Sequence, residues 1–180
     1  MKHSPLEIRH LELGAKMADF GGWQMPIEYP GGGVLIEHEA VRKRVGIFDV
    51  SHLGKIWIKG SGALDFVNSV ITNDLNRISD GQAQYTLLCN ETGGVIDDLI
   101  VYRINSDEIL IIPNAANCEK VFEIFKKEAP ANLELENAHE KYAVIAVQGP
   151  ESKKLLESLG ISLTLEYMSH GPFKIENIDL

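Results

Sequence analysis

Residues 84–102 read Gln84-Tyr85-Thr86-Leu87-Leu88-Cys89-Asn90-Glu91-Thr92-Gly93-Gly94-Val95-Ile96-Asp97-Asp98-Leu99-Ile100-Val101-Tyr102. Two apolar runs flank Glu91-Thr92-Gly93-Gly94, and glycine between such runs marks a turn. The stretch is read as an antiparallel hairpin with strands at 84–90 and 95–102. Its second strand contains an anomaly. Acidic residues are poor strand formers, yet Asp97 and Asp98 sit inside an apolar run. Side chains alternate along a strand, so the two carboxylates face opposite ways. Asp98 is expected to share a face with Ile96, Ile100 and Tyr102, and Asp97 with Leu99 and Val101. One carboxylate is then held at a wet edge or paired with a base, and the other is a candidate half-buried functional acid. The structural alternative is a strand-end aspartate bonded to backbone N–H groups.

Outward from the hairpin, Lys55 to Lys59 alternates as a strand and Glu108 to Ile112 is another. Ser61 is placed to cap a helix that buries Leu64, Val67 and Ile71. Cys118, Val121, Phe122 and Phe125 form one helical stripe. Leu133 and Leu135 mark a short strand. Tyr142 to Gln148, apolar on both faces, is read as a central strand. Pro150 opens a final helix through Leu159. The order β-α-β-β-β-α-β-β across Gly54 to Gln148 defines an α+β class, with mostly antiparallel sheets and flanking helices. Before it, Gly21-Gly22-Trp23, Pro26, Pro30 and Gly31-Gly32-Gly33 read as turns. Val34, His38, Val41 and Val45 give one helical face ending at Gly46. Phe173, Ile175, Ile178 and Leu180 look like the start of a further strand pair.

The chain has 180 residues, enough for one large domain or two small ones. Hydrophobic residues are 44% and charged residues 24%, the balance of a globular protein rather than a disordered one. With 17 Lys and Arg against 26 Asp and Glu, the net charge of -9 argues against a nucleic-acid partner. No apolar stretch approaches the ~20 residues that cross a bilayer, and the N-terminus lacks a signal-peptide pattern. The reading is a soluble, cytoplasmic protein with no membrane partner.

No metal is expected. None of the six histidines belongs to an H-E-x-x-H or H-x-H arrangement, and Glu37-His38-Glu39 points in different directions around a helix. Gly31-Gly32-Gly33 lacks the Gly-Lys-Ser/Thr ending of a phosphate loop. Cys89 and Cys118 form no C-x-x-C pair; a disulfide or two thiols both fit the spacing.

Several separated motifs together resemble a known family. They are Gly14-Ala15-Lys16-Met17, Asp19-Phe20-Gly21-Gly22-Trp23, Met25-Pro26, Glu37-His38, Ala40-Val41-Arg42, Gly46-Ile47-Phe48-Asp49-Val50-Ser51-His52, Thr72-Asn73-Asp74, Gly81-Gln82-Ala83-Gln84-Tyr85-Thr86, the Gly93–Tyr102 strand, Asn114-Ala115-Ala116-Asn117 and Ala146-Val147-Gln148-Gly149-Pro150. In this order they resemble the N-terminal part of the glycine cleavage system T-protein, a folate-dependent aminomethyltransferase. The resemblance implies transfer of a one-carbon unit from the aminomethyl-dihydrolipoyl arm of H-protein to tetrahydrofolate. The products are 5,10-methylenetetrahydrofolate, ammonia and reduced H-protein. Tetrahydrofolate is a substrate here and no metal takes part.

By the same resemblance Asp98 is the family's catalytic aspartate. Tyr85, Tyr102, Asn114 and Leu53 (where the family commonly has Met) contact folate. A fixed carboxylate beside the pterin orients the nucleophile and stabilises developing positive charge. Tyr85 and Tyr102 equally suit ordinary sheet packing, and Asn114 equally suits a helix cap. The role of His52 stays open between hydrogen bonding and catalysis. Lys16, Arg42, Lys43 and Arg44 fit either a docking patch for an acidic H-protein or a solvated helix face.

The resemblance also implies a discontinuous first domain. Residues 1–50 and 140–180 would be parts of it, and 51–139 an inserted α+β subdomain. The family continues past Leu180 with a Thr-Gly-Tyr-Thr-Gly-Glu motif and a β-rich domain, so the first domain is expected to be incomplete here. Three explanations follow: a fragment of a longer enzyme, half of a split enzyme completed by a second chain, or a non-catalytic folate- or partner-binding module. Folate modules of sarcosine- or dimethylglycine-oxidising enzymes share the fold but are normally fused to a flavin domain. Iron–sulfur assembly relatives carry a Lys-Gly-Cys motif that this chain lacks.

Overall fold

A computed structural model describes residues 1–162, 164–175 and 178–180. In chain order the first elements are β1 (Lys2–His3), α1 (Glu7–Glu12), β2 (Lys16–Phe20), β3 (Trp23–Glu28), α2 (Val34–Lys43) and β4 (Gly46–Asp49). Next come β5 (Ile56–Lys59), α3 (Ala63–Val70), β6 (Gln82–Cys89), β7 (Val95–Asn105), β8 (Glu108–Ile112), α4 (Cys118–Glu128) and β9 (Glu134–Asn137). The chain closes with β10 (Ile145–Gln148), α5 (Ser152–Ser158), β11 (Lys174–Ile175) and β12 (Ile178–Asp179). Short 3-10 turns lie at Leu75–Arg77 and Ala115–Asn117. The α+β class with mostly antiparallel sheets is as expected: β1 with β3 is the one parallel pair among the described strands.

The chain divides into two units. One comprises Met1–His52, Glu140–Thr164 and Pro172–Leu180; the other comprises Leu53–His139 and Leu165–Gly171.

In the first unit β3 lies between β1 and β2, and β4 pairs antiparallel with β10. Sequence composition had pointed to turns from Gly21 to Gly33, yet β2 and β3 form a hairpin around Gly21-Gly22. Pro26 is tolerated inside β3 because its partner strand shifts register between Lys16 and Met17, the kind of bulge where a missing N–H is harmless. Tyr142 to Gln148 is not a central strand. Only Ile145–Gln148 is β10; it pairs with β4 in a two-stranded sheet, and Ile145 is exposed. α2 buries no residue fully; Val41 and Val45 are half-buried and Val34 is exposed.

The second unit carries the larger core. Its sheet runs β6-β7-β8-β5-β9, every pair antiparallel. Strand residues that alternate inward, Ile56, Ile58, Leu99, Val101, Ile109 and Ile111, pack with Leu64 and Val67 of α3 and Val121 and Phe125 of α4. Each such side chain contributes roughly 1.5–3 kcal/mol when fully buried. Ser61 does not cap α3. Gly62 occupies the cap position with φ of 90° and no side-chain bond is made there, a left-handed backbone that glycine adopts without a Cβ clash.

Candidate functional site

Within the second unit α3 and α4 pack on one face of the sheet, and the other face carries the candidate residues. Tyr85 on β6 stands opposite Ile100 on β7, with Asp98 two residues before Ile100 and Tyr102 two after. These side chains share one face. Asp98 is exposed and Asp97 is buried at 3% exposure, so the alternation of the two carboxylates is as expected. Ile96 departs from it. The register shifts between Leu88 and Cys89, opposite Ile96, and Ile96 packs against the helix-covered core. A bulge of this kind re-aims one side chain.

Tyr85 Oη donates to Asp98 Oδ2 at 3.1 Å. Asn114 Nδ2 donates to Asp98 Oδ1 at 3.0 Å and to the Asp98 carbonyl at 2.9 Å. The structure therefore joins Tyr85, Asp98 and Asn114 in one hydrogen-bonded group. Desolvation pushes the Tyr85 phenol above its ordinary value, and the bond to Asp98 and the charges of Asp98 and Asp97 push it further. The phenol therefore stays a donor at neutral pH. Burial likewise raises Tyr102, whose ring meets His170 edge-on at 5.3 Å. Leu53, half-buried just ahead of β5, lies outside the hydrogen-bonded group. In the other unit, half-buried His52 packs edge-on against Phe20 at 5.1 Å.

Two supports were not assigned from the sequence. The first holds Tyr85. Asn73 Nδ2 donates to the Tyr85 carbonyl at 2.7 Å, the Asn73 N–H donates to Thr86 Oγ1 at 3.0 Å, and the Leu87 N–H donates to Thr72 Oγ1 at 3.2 Å. The Thr72-Asn73-Asp74 motif thus straps the outer strand β6. The second is Asp97, which accepts from the Asn114 N–H at 2.9 Å and from Asn117 Nδ2 at 2.6 Å. The helix-cap reading of Asn114 fails: its side chain makes no cap bond and turns to the two aspartates. Asp97 is paired with amides and not with a base.

Cys89 and Cys118 form no disulfide. Among the described residues no three His, Cys, Asp or Glu side chains gather as a metal site. No described helix is long and apolar enough to cross a membrane. Lys43, on α2, pairs with Glu39 at 2.6 Å along the exposed helix.

An antiparallel sheet backed by two helices carries on its open face an aspartate fixed by a phenol and an amide; the chain belongs to the GCVT N-terminal domain family, whose model matches residues 6–180. It is 55% identical over 169 residues to the aminomethyltransferase of Mycolicibacterium paratuberculosis, covering 94% of this chain and 46% of that protein. The same figures hold for the aminomethyltransferase of Parafrankia sp.. It matches the crystal structure of glycine cleavage system aminomethyltransferase T from Bartonella henselae with a TM-score of 0.83 and 33% identity, over 93% of this chain and 46% of that one. The resemblance to the T-protein drawn from the motifs is thereby confirmed. The chain spans about half the length of the curated relatives it matches.

Proposed function

We propose that this chain carries the tetrahydrofolate-binding face of an aminomethyltransferase of the glycine cleavage type. The pterin lies on the open sheet face beside Tyr85, Ile100 and Tyr102, with Asp98 at its reactive edge and Asn114 and Leu53 as further contacts. The donor is the aminomethyl group on the dihydrolipoyl arm of H-protein, in a cytoplasmic reaction. Folate nitrogen attacks the methylene carbon, the carbon–nitrogen bond to the amino group breaks and ammonia leaves. The carbon–sulfur bond then breaks, the second folate nitrogen closes the methylene bridge, and the two protons shed by folate go to the thiol and to ammonia.

In this scheme Asp98 does two things. Its carboxylate holds the attacking N–H in line, and its charge stabilises the cation that develops on the transferred carbon. Neither needs a metal. Tyr85 and Asn114 spend their protons on Asp98, which fixes the carboxylate before folate arrives.

The observation that carries the reading is the exposed Asp98, bonded by Tyr85 and Asn114 and neighboured on β6 and β7 by the apolar and aromatic Leu87, Ile100 and Tyr102. Calorimetric titration of the chain with tetrahydrofolate, beside Asp98→Asn, tests it. The expected result is saturable binding that the substitution weakens by about tenfold or more, the worth of a bond to a charged group. A folded sample that does not bind, or that binds equally well as Asp98→Asn, overturns the proposal.

A further inference from the structure

Asp97 has no part in the transfer described above, yet it is the more deeply held of the two aspartates. It is 3% exposed, and its bonding partners are amides: the Asn114 N–H on Oδ2 at 2.9 Å, and Asn114 Nδ2 and Asn117 Nδ2 on Oδ1 at 3.0 and 2.6 Å. An unbonded carboxylate at this depth would be very costly, and these three N–H groups make it tolerable.

The geometry at Asn114 is specific. Its amide nitrogen carries two hydrogens. One serves Asp97 Oδ1, and the other lies toward Asp98, whose Oδ1 is 3.0 Å and carbonyl 2.9 Å away. The amide bridges the two carboxylates. Rotated by half a turn, its oxygen would face both anions and all these side-chain bonds would be lost. Asp97 therefore decides which way the amide points. Its bonds to the Asn114 backbone and to Asn117 also tie both ends of the 114–117 turn to β7.

We infer that Asp97 is a positioning residue for Asp98. Acting through Asn114, it fixes the carboxylate in the orientation that meets the substrate. This rests on the folate reading of Asp98. Asp97 touches no substrate, because it lies on the helix side of the sheet while Asp98 lies on the open side.

The test is a double-mutant cycle. Asp97→Asn, Asn114→Ala and the combined variant are titrated with tetrahydrofolate well below each variant's melting temperature, with Asp98→Asn as reference. Asp97→Asn keeps the side-chain size and one acceptor oxygen but removes the charge. Each single variant is expected to weaken binding about tenfold, and the combined variant also about tenfold rather than hundredfold, because both substitutions cut the same chain of contacts. A purely structural Asp97 would lower the melting temperature and leave the folded chain's affinity unchanged, or its loss would multiply with that of Asn114→Ala. Either result overturns the inference.

Should Asp98→Asn leave binding unchanged, the folate reading is what fails. A second measurement then decides on Asp97 alone. The Asn114 side-chain amide protons, followed by NMR, are expected to exchange slowly in the unaltered chain and fast in Asp97→Asn. Slow exchange in Asp97→Asn overturns the positioning role whether or not folate binds.

Discussion

Tyr85 and Asp98 lie 13 residues apart in sequence and meet across one hairpin, hydroxyl to carboxylate at 3.1 Å. The Tyr85 ring is 54% exposed, so the contact stabilises the fold little and its main effect is on Asp98. Tyr85→Phe keeps the ring and removes the donor. Tetrahydrofolate affinity is expected to fall about three- to tenfold by calorimetry, the loss of one hydrogen bond to the carboxylate. The melting temperature should hold, as for most surface substitutions. Desolvation and Asp98 raise the phenol above its ordinary value of 10.0, so affinity should not show a Tyr85 titration between about pH 7 and 9. A drop in affinity in that window that Tyr85→Phe abolishes would contradict the assignment.

The second unit was largely legible in the sequence. Alternation over 84–90 and 95–102 located β6 and β7, and the Cys118, Val121, Phe125 stripe located α4. These elements bury one face each, so their periodicity reports tertiary structure directly. The first unit was less legible. Trp23 to Glu28 holds a proline and follows two glycines, a turn-like composition that a bulge and a hairpin accommodate in β3. Ile96 was misplaced because a bulge adds one residue and breaks the period of two. The Asp97-Asp98 pair stood out because acids in an apolar strand are anomalous, and the family resemblance singled out Asp98. The partners that position it, Asn114 on Asp98 and Asn117 on Asp97, come from a turn 16 and 20 residues further on, and no local pattern encodes that meeting.

The core of the second unit lies on the sheet face opposite Tyr85 and Asp98. Phe125 has no exposed surface and meets Phe66 edge-on at 6.0 Å and 81°. Phe125→Ala should cost about 3–5 kcal/mol, from lost transfer energy and the cavity left behind. Urea unfolding should show this as a lower midpoint with an unchanged slope. A loss below about 1 kcal/mol would mean that α4 repacks and that the assigned core is wrong.

Asp49 gives the first unit a pH dependence. It accepts from Ser4 Oγ, from His10 Nε2 at 2.7 Å and from the Ser51 N–H at 2.8 Å. Burial raises the Asp49 carboxyl, but these bonds from Ser4, Ser51 and His10 together outweigh it and hold the group below its ordinary value of 3.8. The folded value is thus lower than the unfolded one. The stabilisation is complete above about pH 4 and is lost as the pH falls through the folded value. Asp49→Asn should be less stable than the unaltered chain at pH 7, and that gap should close in acid. A gap that stayed constant down to pH 2 would show that the carboxylate charge is not what stabilises this cluster.

Two glycines separate backbone strain from close contact. A Cβ on Gly62, at φ of 90°, would meet nothing within 4 Å. Gly62→Ala should therefore cost about 1–2 kcal/mol of left-handed strain at the start of α3. It should leave tetrahydrofolate affinity unchanged. Gly54 is the opposite case. Its Cβ would come within 2.5 Å of Pro113 Cγ and 2.6 Å of Cys118 Sγ, and its N–H donates to the Pro113 carbonyl at 2.9 Å. Pro113 precedes Asn114, and Cys118 follows Asn117. Gly54→Ala must push both ends of the turn that carries the Asn114 amide, costing about 1–3 kcal/mol in packing. It should also weaken tetrahydrofolate binding severalfold, because the amide moves relative to Asp98. Melting curves read the first effect and calorimetry the second. If Gly54→Ala lowered stability but left affinity intact, the turn would tolerate displacement, and Asn114 could not be what fixes the Asp98 carboxylate.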